Sequence, residues 1–174
     1  MRKLVESTFM TLDGVISRPQ DWSGPYWDDQ HVGYATKLLE PADALLLGRD
    51  TYEVFAASWP EREGEYADRI NAMPKHVASN TLTETTWNAS VLDGDTAEAV
   101  AKLKEDTNLL KFGSGELDRT LLDHGLVDEL HLWIFPVIAG SGERLFDGFD
   151  LTHLQLVDAS TFESGIVVHV LAQK

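Results

Sequence analysis

At 174 residues and 43% apolar side chains the chain can bury a full core as one domain, 1–174, and no apolar run approaches the roughly 20 residues that span a bilayer. Fourteen basic residues against 29 acidic ones give a net charge of −15, which repels nucleic acid and anionic membranes, so neither is an expected partner. The same field opposes an anionic ligand at long range, so any phosphate must be gripped locally, by helix N-termini and a few placed Arg or Lys side chains.

Met1-Arg2-Lys3-Leu4-Val5-Glu6 lacks an apolar signal core, because Glu6, Ser7 and Thr8 arrive too soon. Together with the absence of cysteine, which excludes disulfides and thiolate chemistry, this leads to an expected cytoplasmic location. Lys3 to Met10 predicts a strand, followed at once by Thr11-Leu12-Asp13-Gly14. Asp13-Gly14 has two readings: a tight turn, or a carboxylate presented at the end of a core strand, where active-site acids are often placed. Ser17 to Tyr26, rich in proline and aromatics, predicts a loop of the kind that covers active sites. Asp28 or Asp29 then caps a helix with Val32, Ala35, Leu38 and Leu39 on its apolar face, ended by Pro41.

Ala44 to Leu47 predicts a buried strand that runs through Gly48-Arg49-Asp50-Thr51-Tyr52-Glu53 into a helix, with Asp50 and Glu53 spaced as a capping box. That helix ends at Trp59-Pro60, and Glu61 to Ala72 reads as a solvated connection with a helical turn. Met73 to Ala78 predicts a strand ending in Ser79-Asn80-Thr81-Leu82, and Thr86 to Leu92 another. Asp95 and Glu98 box the start of the next helix, which carries Ala97, Val100, Ala101 and Leu103.

Leu109-Leu110-Lys111-Phe112 is a short apolar strand that breaks at Gly113-Ser114-Gly115 and gives way to helical spacing at Leu117, Leu121 and Leu122. Taken alone, this turn is either backbone punctuation or a phosphate site built from N–H groups and the positive end of a helix dipole. Leu130 to Phe135 predicts a strand, with Leu130, Leu132 and Ile134 on one face, and Pro136 to Gly142 a second glycine-containing loop. His153 to Ala159 and Gly165 to Ala172 have no helix between them and predict an antiparallel pair. The whole pattern predicts an α/β domain with a mostly parallel sheet. In such a sheet ligands bind outside the carboxyl ends of the strands, so the ends at Gly48, Ser79 and Gly113 converge on one phosphate-rich molecule. Rossmann, Walker and nucleophile-elbow motifs are absent, and His31, His76, His124, His131, His153 and His169 lack the spacing of a zinc hydrolase, so no metal is expected.

Thr11-Leu12-Asp13-Gly14, Gly48-Arg49-x-Thr51, Ser79-Asn80-Thr81-Leu82, Gly113-Ser114-Gly115-x-Leu117, Leu126-Val127-Asp128-Glu129 and Pro136-x-x-x-Gly140-Ser141-Gly142 occur in this order. Together, from Leu4 to Ala172, they resemble the dihydrofolate-reductase-like superfamily, in particular the reductase domain of riboflavin biosynthesis and its stand-alone bacterial relatives. The resemblance implies a mixed, mostly parallel sheet flanked by helices on both faces, with a C-terminal antiparallel hairpin. It implies NADPH as cofactor, hydride transfer to a small heterocyclic or carbonyl substrate, and a homodimer touching through the C-terminal strands. By position it nominates Gly48, Arg49, Thr51, Ser79, Asn80 and Thr81 for the 2′-phosphate and pyrophosphate. Gly113, Ser114, Gly115 and Leu117 fall to the pyrophosphate, Met10 and Thr11 to the nicotinamide, and Asp13 to the substrate as the catalytic group. Asn80 stands where many relatives carry a basic residue, which weakens the 2′-phosphate clamp. No zinc deaminase domain is attached, so the bifunctional riboflavin enzyme is not expected. The acid that folate reductases carry early in the first helix has only a rough counterpart, Asp28 or Asp29, so folate is not the expected substrate. A reductase of the aminouracil reductase or dihydrofolate reductase type is the first reading; a non-catalytic NADP-binding or regulatory module of the same fold is the alternative.

Overall fold

A computed structural model describes residues 2–174. Its centre is an eight-stranded sheet in the order β4-β3-β2-β5-β1-β6-β8-β7. The strands are β1 (Leu4–Thr11), β2 (Ala44–Gly48), β3 (Lys75–Ala78), β4 (Ala89–Val91), β5 (Leu109–Phe112), β6 (Glu129–Phe135), β7 (Leu154–Thr161) and β8 (Val167–Gln173). All pair in parallel except β8, which is antiparallel to both β6 and β7. The helices are α1 (Asp29–Leu39), α2 (Arg49–Ser58), α3 (Glu65–Ala72), α4 (Thr96–Leu103) and α5 (Glu116–Asp123).

Side chains of a strand alternate between faces, and here both faces are covered. Ala44, Leu46, Leu4 and Leu109 pack against Val100 of α4 and Leu121 of α5. Leu45, Leu47 and Leu110 pack on the other side against Leu39 of α1, Tyr52 of α2 and Ile70 of α3. The alternation within Ala44-Leu45-Leu46-Leu47 therefore feeds two cores at once, which explains why all four are fully buried. No helix among the described residues is long and apolar enough to cross a membrane.

Most expected elements form where the pattern placed them, with four local corrections. Asp50 and Glu53 do not make a capping box. The N-cap is Gly48, two positions too early, so Asp50 lies inside the first turn and Glu53 turns to Arg49 instead. Glu65–Ala72 is a regular helix rather than a solvated connection, because Ala67 and Ile70 are buried on one side; burying Ile70 alone stabilises by about 1.5–3 kcal/mol. The strand expected from Thr86 starts only at Ala89, since Trp87 and Asn88 take positive φ angles of 57° and 53° and turn the chain first. In α1 the buried first-turn residue is His31, while Val32 is 50% exposed. Asp28 is the α1 cap, accepting the His31 N–H at 2.8 Å.

Candidate active site

In a parallel sheet the carboxyl ends of neighbouring strands share one edge. β3, β2 and β5 are neighbours, and each runs into a polar turn at that edge. The result is a cavity of about 450 Å³ lined by Gly48, Arg49, Thr51, Ser79, Asn80, Thr81, Gly113, Ser114, Gly115 and Leu117. Every residue nominated for the phosphate-bearing part of a dinucleotide is thus in one place. Asp50, Lys111, Glu116 and Glu143 also face it. Met10, Thr11 and Asp13 do not line this cavity, nor do Asp28 and Asp29.

Each wall has a local cause. Ser79 Oγ accepts the N–H groups of Thr81 (3.2 Å) and Leu82 (3.0 Å), which bends the chain off β3. That bend brings Thr81 Oγ1 to 2.7 Å from Arg49 Nη1. Glu53, one helical turn on, accepts from Arg49 Nε at 2.8 Å, and this bond raises the guanidinium pKa further. On the opposite wall Gly113 has φ +81°, and a Cβ there would meet Thr51 Oγ1 at 2.1 Å. Only glycine allows the turn and Thr51 to close on each other.

Beneath the turn lies a charge cluster that the sequence reading did not find. Lys111 Nζ donates to Gly113 O at 2.7 Å and to Asp118 Oδ1 at 2.5 Å, with Glu6 Oε1 at 3.8 Å. The second Asp118 oxygen accepts the Gly115 N–H. Lys111, Glu6 and Asp118 are each at least 98% buried. Burial pushes the Glu6 carboxyl well above the ordinary range, against the pull of Lys111. Burial also works against Asp118, but the Lys111 ammonium holds its pKa below the usual value. Lys111 in turn loses to burial and gains more from the two acids, so it stays charged. Lys111 thus pairs closely with Asp118, while Glu6 Oε2 has no partner among the described residues. The signal available in the sequence was a lysine in the middle of an apolar strand, which demands a buried countercharge.

Asp13 takes the turn reading. It is in the expected turn, where Gly14 has φ +89° and its N–H bonds Thr11 O at 2.9 Å. Its carboxylate also ties two loops together, accepting from Thr11 Oγ1 (2.6 Å), Ala139 N–H (3.0 Å) and Gly140 N–H (2.9 Å). These bonds, Thr11's first, lower its pKa to about 2. Further bonds zip the same loops: Leu12 N–H to Val137 O, Ile16 N–H to Glu143 O, and Arg144 to Asp13 O. The zip carries Glu143 to the cavity. Thr11 itself is fully buried, its hydroxyl engaged by Asp13 and by the Val15 N–H at 2.9 Å.

Known proteins show the same arrangement of chain. Residues 2–168 match the family model described as the RibD C-terminal domain. YyaP, an uncharacterized protein of Bacillus subtilis strain 168, is 30% identical over 177 residues, covering 95% of this chain and 92% of its own. A Shewanella sp. PV-4 protein, described as a candidate riboflavin biosynthesis protein, superposes with a TM-score of 0.79 at 21% identity over 99% of both chains. A Thermotoga maritima diaminohydroxyphosphoribosylaminopyrimidine deaminase/5-amino-6-(5-phosphoribosylamino)uracil reductase superposes with a TM-score of 0.68 at 16% identity, over 99% of this chain and 57% of its own. The two structural likenesses are likenesses of fold.

Proposed function

The chain belongs to the RibD C-terminal domain family, and from that premise we propose that it is a reductase that takes NADPH and transfers hydride to a small heterocyclic or carbonyl substrate. The observation that carries the reading is the convergence of the β2, β3 and β5 ends on one polar cavity at the carboxyl edge of the sheet. Family membership makes the reductase class the first choice among ligand-binding functions of such a cavity. A ribosylaminopyrimidine, as in the name of the Thermotoga protein, is the first substrate to try.

The residues present fit a dinucleotide. Gly113 offers backbone without a side chain, and the N–H groups of Ser114 and Glu116 have no partner among the described residues. Arg49 has bonds at Nε and Nη1, and Nη2 is without a partner among the described residues. In this reading Arg49, with Ser79, Asn80 and Thr81, holds the 2′-phosphate, and Gly48 and Thr51 shape the wall beside it. Gly113, Ser114, Gly115 and Leu117 receive the pyrophosphate, while Met10 and Thr11 border the nicotinamide from the end of β1. The bound nicotinamide would supply the hydride. Asp13, ionised at neutral pH, has no proton to give, so it acts by holding its loops in place and by orienting a water. A homodimer in the cytoplasm completes the reading; the exposed Leu156 and Val157 on edge strand β7 support the contact.

Titration of NADPH and NADH, followed by tryptophan fluorescence, tests the reading; absence of binding for both at millimolar concentration overturns it. One observation favours a second reading, a binding module without turnover: both oxygens of the nominated catalytic carboxylate are bonded by its own loops. NADPH that binds but stays unoxidised across aminopyrimidines, pterins and quinones selects the second reading over the first.

A further inference from the structure

A peptide N–H can meet an anion squarely only if the carbonyl of the same peptide faces away from it. The Gly113–Ser114 peptide meets that condition because of what lies under it. Lys111 Nζ holds Gly113 O from the interior at 2.7 Å, and Thr8 Oγ1 lies 3.4 Å from the same oxygen. In a trans peptide the C=O and the following N–H point in opposite directions, and the described chain contains no cis bond. With Gly113 O turned inward, the Ser114 N–H faces the cavity. Asp118, third residue of α5, takes the Gly115 N–H inward in the same way and so fixes the first turn of the helix, where the Glu116 N–H is left over.

We propose that Lys111 and Asp118 are positioning residues for the anion cradle: their buried ion pair holds the Gly113 carbonyl and the Gly115 N–H inward, so that the Ser114 and Glu116 N–H groups meet a pyrophosphate. Neither side chain needs to touch the ligand. Both are at least 98% buried, and their polar atoms are occupied by the turn and by each other. The ligand class is a diphosphate ester or free pyrophosphate. Its identification with a dinucleotide rests on the reductase reading above.

Amide-resolved NMR of the wild-type protein, titrated separately with inorganic pyrophosphate and with NADPH, is the direct test. Pyrophosphate is expected to shift the Ser114 and Glu116 amides; shifts confined to other residues overturn the proposal. Two variants then separate positioning from bulk stability. Lys111→Met/Asp118→Leu removes both charges together and leaves no buried ion alone. Asp118→Asn keeps the shape but has one acceptor oxygen and cannot serve both Lys111 and Gly115. Either variant, folded by circular dichroism, is expected to bind pyrophosphate about tenfold more weakly, and Lys111→Arg to recover part of the loss. A folded variant that binds pyrophosphate as tightly as wild type overturns the proposal. Pyrophosphate binding as expected, with no NADPH binding at all, would leave the brace standing and remove the reductase reading.

Discussion

The Asp13 carboxylate reaches from the end of β1 to the loop after β6 and accepts the Gly140 N–H at 2.9 Å. That one contact, with its partner at Ala139, joins segments 126 residues apart in sequence at the carboxyl edge of the sheet. Its pKa of about 2 lies below the ordinary 3.8, so the folded state binds the proton less tightly than the unfolded chain. The stabilisation is therefore fully present above about pH 4 and fades as pH falls through about 2. Amide-exchange protection of Ala139 and Gly140 is expected to drop across that window in wild type and to be low throughout in Asp13→Ala. Equal protection in the two proteins at neutral pH would remove Asp13 from the loop-holding role.

Arg49 is expected to separate the two nicotinamide cofactors. A charge-assisted contact to a phosphate is worth about 1.5–3 kcal/mol, so Arg49→Ala should weaken NADPH roughly ten- to a hundredfold and NADH far less. Glu53 competes for the same guanidinium at 2.8 Å, and Glu53→Gln is expected to move the NADPH-to-NADH affinity ratio the other way. Parallel losses for both cofactors in Arg49→Ala would mean that Arg49 does not meet the 2′-phosphate.

The residues that bend the backbone were the legible part of this site. Gly48, Ser79 and Gly113 mark strand ends in the sequence, and strand ends in a parallel sheet fall on one edge, so the cavity followed from the order of elements. The brace under it was not legible, because it depends on register. Glu6 and Lys111 become neighbours only when β1 pairs with β5 in one alignment, and Asp118 joins them only once α5 packs on that face. A shift of one residue in either strand would send those charges to the opposite face. The same dependence on an exact start hid the Arg49–Glu53 pair, since α2 begins two residues earlier than the spacing of Asp50 and Glu53 suggested.

Gly113→Ala tests the close packing of the turn. The positive φ and the 2.1 Å approach to Thr51 Oγ1 act together, and the cost is expected on the order of 2–3 kcal/mol. For a chain of this size that corresponds to a fall in Tm of roughly 5–10 °C. In a Thr51→Ala background the clash shrinks while the φ strain stays, so the double-mutant cycle should show a favourable coupling between the two positions. Strict additivity would mean that Thr51 gives way without cost.

Glu6 offers the sharpest prediction about pH. Its carboxyl is buried among β1, β5 and α5, and faces Lys111, Asp118 and the Thr8 hydroxyl, whose Oγ1 is 3.3 Å from Glu6 Oε1. Burial raises its folded pKa well above the model-compound 4.5, so the folded protein holds a proton that the unfolded chain releases. Stability from this group is therefore complete below about pH 4.5 and declines as pH rises towards the raised folded value. Glutamine has the shape of the protonated acid and cannot ionise, so Glu6→Gln is expected to keep the fold and to flatten that decline. Urea unfolding midpoints of wild type and Glu6→Gln should converge near pH 5 and diverge with increasing pH, the variant becoming the more stable. Parallel curves would show that Glu6 is ionised in the folded state, with Lys111 balancing two carboxylates rather than one.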